Sequence, residues 1–544
     1  MKTKTFLLLL TIFTMNSCDT KSPVDMIITN AVIYSVDSSF NTFESMVIKD
    51  GLIADIGNNQ EIRKHYSSNK VLDLNGKSAY PGFIDPHCHF YGYGNGLREA
   101  NLRETSSLEE VLEKIKDHAN KHPEGWIIGR GWDQNDWENK EWPSNEELNI
   151  LFPDRPVVLV RIDGHATLVN QKALDLANIN KNTVIDGGEI LSKNGELTGI
   201  LIDNATGEVN SVIPKGGVKE IKEALLGGQE NCFAVGLTSV HDAGLYLNVI
   251  ETIDELQHNK MLKMRVYAML SPTEENFEKY MYNGIYKTDR LHIASIKLFA
   301  DGALGSRGAL MIEPYSDDPE NSGLQVASYD YLHKMTSLAD SFGYQVNTHC
   351  IGDGANRLML KIYSDVLKTE NDKRWRIEHS QVIHPDDFNI FGKYSIIPSI
   401  QTTHATSDMY WAEERLGDRI QYAYAYKKLL EQNGWLPNGS DFPIESINPL
   451  YGFFAAVSRK DHSGWPENGF QAKESLSREE AMKAMTIWAA KSGFEENELG
   501  SLEPGKKADF VITDQDIMKV PEMDIFETKV LKTFIAGEEV YSSK

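Results

Sequence analysis

The stretch "AYPGFIDPHCHF", residues 79 to 90, sets His87 and His89 two apart at the end of an apolar run. On a strand, residues two apart share a face and lie about 6 to 7 Å from one another. Two imidazoles on that spacing can reach one metal ion, while Cys88 points to the other face. A pair of ordinary polar residues finishing a strand is the plainer reading, so the chemistry depends on partners elsewhere.

Three partners stand at the ends of other strand-like runs. His349 ends "YQVNTHC" ahead of Gly352-Asp353-Gly354, His379 ends "RWRIEHS", and Asp441 ends "LPNGSD" ahead of Phe442-Pro443. One polar residue at a strand end often only caps backbone. Five together, with the first-strand pair among them, point to a metal centre. His and Asp donors suit Zn²⁺, and also Mn²⁺, Fe²⁺ or Ni²⁺. One or two divalent ions are expected, with zinc the leading candidate.

Eight apolar runs position these residues: "GFIDPH", "GLTSVHDAG", "MRVYAML", "ASIKLFADG", "YQVNTHC", "RWRIEHSQ", "YSIIPSIQ" and "GWLPNGSD". Helical stretches such as "SYDYLHKMTSLADSFG" and "SREEAMKAMTIWAAKSG" lie between or after them. That alternation predicts an α/β fold, a (β/α)₈ TIM barrel with its site at the C-terminal ends of the strands. Residues 81–499 form the barrel domain. Within it, residues 95 to 215 exceed a normal connection and predict a large insertion after the first barrel strand, over the mouth and rich in Trp126, Trp132, Trp137 and Trp142. Short β-rich runs in 18–80 and 500–544 predict a composite β-sandwich built from both termini.

Composition narrows the partners. With 41% hydrophobic and 25% charged residues, the chain has the make-up of a packed globular protein. A net charge of −24 argues against nucleic acid or anionic lipid, both of which call for clustered Lys and Arg. Lys2 and Lys4 precede the apolar run "FLLLLTIFTM", too short to span a membrane comfortably. "MNSC" at 15 to 18 resembles a lipoprotein cleavage box, with Met15 and Asn16 in place of the usual Leu and small residue. Residues 1–17 are therefore expected to be a signal peptide and Cys18 a lipidated N-terminus at a bacterial cell envelope. A simply cleaved signal is the alternative. Cys88, Cys232 and Cys350 are odd in number and widely spaced, which is not a disulfide framework.

The motifs "GFIDPHCH", "KLFADGALGSR", "HCIGDGA", "RIEHSQ" and "GSDFP" together resemble the amidohydrolase superfamily. Within it they resemble amidohydrolase family 3, which includes N-substituted formamide deformylases and relatives of D-aminoacylases. The resemblance runs from about residue 25 to the C-terminus. It implies a metal-dependent hydrolase in which His87, His89, His349 and His379 are ligands and Asp441 is both ligand and catalytic aspartate. It implies that Lys297, within "ASIKLFADG", is a carboxylated ligand bridging two metals; a lysine paired with an acid such as Asp301 is the alternative. It also implies that His165, in "RIDGHATLVN", polarises the substrate carbonyl, against a satisfied surface histidine. Trp132, Asp133, Gln401 and Arg307 are candidate pocket residues. Cys88 and Gly354 depart from the family pattern, which commonly has a small residue such as Thr or Ser and an Arg there.

The implied reaction is hydrolysis of a C–N bond in a small, partly apolar amide by metal-activated hydroxide, with Asp441 as proton carrier. A retained barrel that only binds a ligand at the cell surface, or a hydrolase of esters, are the rival readings. No partner beyond a small-molecule substrate is expected, membrane contact is limited to the lipid anchor, and a homodimer is left open.

Overall fold

The computed structural model describes residues 21–214 and 216–543. The leader and Cys18 lie outside the described residues. Among those described, no helix is long and apolar enough to cross a membrane.

Seven of the eight expected runs are parallel barrel strands: β1 (Phe83–Cys88), β2 (Leu237–Leu245), β3 (Arg265–Leu270), β4 (Leu291–Phe299), β5 (Gln345–Cys350), β6 (Arg376–His379) and β7 (Ile397–Ser399). The eighth run fills the remaining gap without becoming a regular strand. Ile400 N–H donates to Pro437 O at 3.0 Å, and Gly439 N–H to Ile400 O at 2.9 Å. On the other side Asp441 N–H donates to His87 O at 2.8 Å, and His89 N–H to Phe442 O at 2.7 Å. Residues 437–442 thus close the barrel by bonding β7 and β1 together.

That closure is tight. Asp85 on β1 accepts Ser440 Oγ–H at 2.6 Å and His87 N–H at 3.1 Å. At Gly439 an added Cβ would come within 2.7 Å of Asp85 Oδ1, 2.8 Å of His87 N and 2.9 Å of His87 O. Since the obstacle is largely backbone, Gly439→Ala must push β1 and the closing segment apart. We expect a loss of about 1–3 kcal/mol, the usual cost of overpacking, seen as a lower thermal midpoint. An unchanged midpoint would refute the close seating.

The expected helix in "SREEAMKAMTIWAAKSG" is two helices, Arg478–Ala484 and Ile487–Ser492. The first opens on a capping box between Ser477 and Glu480, a device that satisfies two orphan N–H groups. The break has a structural cause. Ala484 O and Met485 O turn outward to accept Asn438 N–H at 3.0 Å and Ile84 N–H at 2.9 Å, at the base of the barrel.

Both chain ends build the sandwich. In its six-stranded sheet, Ser78–Pro81 runs between Val32–Tyr34 and Phe510–Thr513, with Val530–Ile535 and Glu538–Ser542 beyond. A four-stranded sheet carries Met26–Thr29 and Ser45–Lys49. Ile28, Ile33, Ile48, Phe510 and Phe534 fill the core between them, and the two phenylalanine rings stack at 4.3 Å.

The insertion is a six-stranded sheet, from Ala100–Asn101 through Ile127–Trp132, Val157–Arg161, Ala166–Val169 and Glu196–Asp203 to the edge strand Gly188–Lys193. Its tryptophans are not at the barrel mouth as the sequence suggests. Trp132 and Trp137 are buried in the insertion's own core, where Trp142 packs against them, and Trp126 packs on a second cluster within the insertion. The insertion instead presents the loops that follow Ile127–Trp132 and Val157–Arg161 to the mouth.

Candidate active site

A cavity of about 310 Å³ opens between the barrel mouth and the insertion. On its floor His87, His379 and Asp441 each offer a donor atom within 4.8 Å of the others. His89 Nε2 lies 3.3 Å from Asp441 Oδ1, and His87 Nε2 lies 3.4 Å from the same oxygen. Lys297 Nζ is 3.4 Å from His87 Nε2. The His349 ring stands beside that of His379, centroids 4.6 Å apart. The candidate residues therefore lie near one another, and His87, His379 and Asp441 are close enough to share an ion.

Backbone conformation makes the convergence work. His379 and Asp441 have φ of 74° and 60°, the left-handed region that costs a residue with a Cβ. On β6 strict alternation would turn His379 away from Glu378. The positive φ lets both reach the barrel interior: Glu378 Oε2 accepts His87 Nδ1–H at 2.6 Å, and Arg376 lies 3.3 Å from Glu378 Oε1.

Whether these residues suit a metal is decided by which nitrogen of each ring is tied up. His87 Nδ1–H donates to Glu378, and His89 Nδ1–H donates to Ala243 O at 3.1 Å. His379 Nδ1–H donates to Gln401 Oε1 at 2.7 Å, and His349 Nε2–H to Gly302 O at 3.2 Å. Carbonyl and carboxylate oxygens only accept, so the opposite nitrogen of each neutral ring keeps its lone pair. That outer support is how metal-binding histidines are held. Asp441 Oδ1 is buried with no hydrogen-bond partner among the described residues, although it faces two such lone pairs. Acceptors facing acceptors in a buried site fit a cation between them.

The model for the amidohydrolase family matches residues 70–541. The chain belongs to that family. It is 34% identical to Protein LONG AFTER FAR-RED 3 of Arabidopsis thaliana, over 95% of this chain and 91% of that one. It is 25% identical to the N-substituted formamide deformylase of Arthrobacter pascens, over 94% of this chain and 97% of that one. Among solved structures, an uncharacterized metal-dependent hydrolase of Pyrococcus horikoshii OT3 superposes with a TM-score of 0.74 at 29% identity, covering 91% of this chain and all but 1% of that one.

The remaining candidates of this amidohydrolase divide. Lys297 is 1% exposed and does not pair with Asp301, whose carboxylate accepts the backbone N–H groups of Leu310, Ile351 and Gly352. His165 lines the cavity, its ring 4.9 Å from that of His349. Asp133 lines it too, ion-paired with buried Arg161. Gln401 acts one step back, by holding His379. Trp132 and Arg307 are not pocket residues. Trp132 donates its indole N–H to Leu159 O inside the insertion, and Arg307 turns away to Asp317 at 2.8 Å. Gly354 also lies off the cavity; a Cβ there would come within 2.9 Å of Leu310 O.

Three functional positions escape a reading by motif: Glu378, Asp203 and His404. His404 Nε2 lies 3.7 Å from Asp441 Oδ2, and its Nδ1 lies 3.1 Å from Glu445 Oε1. Burial pushes its pKa down, but the flanking carboxylates raise it to about 10. A histidine just past the barrel run "YSIIPSIQ" was the available signal, and by itself it is a weak one.

Proposed function

We propose that this amidohydrolase hydrolyses the C–N bond of a small, partly apolar amide. The observation that carries the reading is the floor of the cavity, where His87, His379 and Asp441 bring donor atoms within 4.8 Å of one another and Asp441 Oδ1 is unsatisfied among the described residues, beneath a space large enough for a small substrate. His87, His89, His349, His379 and Asp441 would hold one or two divalent ions, zinc foremost, with Lys297 joining as a carbamate. Bound there, such an ion supplies Lewis acidity and lowers the pKa of water toward 7.

The chain's own residues do the rest. Asp441 takes the proton given up by the attacking water and returns it to the leaving nitrogen, which otherwise departs poorly. His404 and Glu445 continue the polar path from Asp441 to the cavity wall. His165 faces the substrate's carbonyl oxygen from the insertion side, as an oxyanion donor does. Phe299, Leu304, Ile351 and Trp411 give the wall its apolar portion, a role that the insertion tryptophans do not fill. The relative named for deformylating N-substituted formamides makes N-formyl amines the first compounds to try.

The test combines elemental analysis of the purified protein with a panel of N-formyl and N-acyl amines, and with esters and phosphoesters as controls. Tightly bound divalent metal and amine release are expected. Cleavage of esters alone would overturn the C–N assignment and leave the metal centre standing. A protein that binds no divalent metal would turn the reading toward ligand capture. At the N-terminus we propose lipidation of Cys18, with no membrane contact beyond it.

A further inference from the structure

His165 immediately precedes one strand of the insertion, and Asp203 ends its neighbour. Ala166–Val169 pairs antiparallel with Glu196–Asp203, Ala166 opposite Ile202, and Asp203 N–H donates to His165 O at 2.7 Å. This register sets the two side chains opposite each other, with His165 Nδ1 2.7 Å from Asp203 Oδ1.

Asp203 is an awkward residue to keep for stability alone. Its side chain is 1% exposed, and Oδ2 has no hydrogen-bond partner among the described residues. Its backbone stands at φ 49°, ψ −122°, a conformation that residues with a Cβ avoid. The carboxylate rests against the loop after β4, where a Cβ on Gly302 or Gly308 would come within 2.2 or 2.3 Å of Oδ2. Strain, an unsatisfied buried oxygen and two glycines that leave it room all serve one contact, the hydrogen bond to His165. Such combinations gather at functional sites.

We propose that Asp203 is the positioning residue of His165. By accepting the Nδ1 proton it fixes the ring against rotation, and its negative charge favours the ring protonated on both nitrogens, so that Nε2–H, which has no partner among the described residues, donates to the substrate's carbonyl oxygen. The inference deepens the hydrolase reading above and rests on it for the identity of the oxygen. It also gives the insertion a share in the chemistry, since both residues of the pair belong to it.

Nuclear magnetic resonance on the zinc-loaded full chain, labelled with ¹⁵N-histidine, reads the ring without turnover. His165 signals are assigned by their loss in His165→Gln. The wild type should show an Nδ1 proton protected from solvent exchange, and Asp203→Ala should lose that protection with zinc content unchanged. Gly308→Ala, which displaces the carboxylate without removing it, should weaken the protection, and it carries the test if Asp203→Ala does not fold. An Nδ1 proton equally protected in both variants overturns the proposal. On any amide that the wild type cleaves, Asp203→Ala should lower kcat by about 10- to 100-fold with KM little changed, and should add nothing to His165→Gln. Independent, multiplying losses would also overturn it. A wild type that cleaves no amide sinks the hydrolase reading instead, and the resonance measurement still decides the pairing.

Discussion

Asp441→Asn is expected to leave the fold and most of the bound metal in place while lowering kcat by about 10² or more, the scale for losing a general acid–base group. The substitution isolates proton transfer from shape. Asparagine keeps the volume and one side-chain oxygen, and it tolerates the positive φ of 60° better than most residues. What it lacks is the basicity to take a proton from water and return it to the leaving nitrogen. The measurement is kcat alongside metal content and thermal midpoint. Near-native turnover, on any substrate that the wild type cleaves, would remove Asp441 from the mechanism. Loss of metal in step with activity would make it a ligand only.

Lys297→Ala should lose both metal and activity, with partial return on adding short carboxylic acids such as formate or acetate. The side chain is buried on β4 with Nζ beside His87, and no carboxylate among the described residues lies within ion-pairing distance of it. Burial lowers its pKa to about 8, so a useful fraction of the amine is neutral near pH 7 and can add CO₂. The resulting carbamate restores a negative charge where the site gathers lone pairs. Activity should therefore fall in CO₂-depleted buffer and recover with bicarbonate. Full metal content and full rate in the alanine variant would make Lys297 a structural residue.

The candidate ligands were legible because two regularities expose them. Period-two spacing puts His87 and His89 on one face, and barrel strands deliver their last residues to one end. The same rules hid Glu378. Alternation on "RIEHS" sends it to the side opposite His379, and only the left-handed backbone at His379 brings both inward. Asp203 was hidden for another reason: its partner is 38 residues away beside another strand of the insertion, and nothing local marks its strained backbone. The tryptophans misled because aromatic content tells how much a segment buries, not which way it faces. The eighth run was correctly placed by its Asp, yet its residues bond two neighbours through an irregular path that propensity does not encode.

That irregular closing segment makes assembly order matter. The contacts that seat it on β1 join residues 355 apart in the chain, as between Asp85 and Ser440, and pairings of such separation are slow to form. The same few residues carry Asp441 to the histidines, so a chain in which this segment has not seated lacks the proposed carboxylate donor. A chain ending before this segment keeps the four histidines but lacks Asp441. An ion held through Asp441, as proposed, would stabilise only chains in which this segment has seated, and metal uptake during refolding would report ring closure.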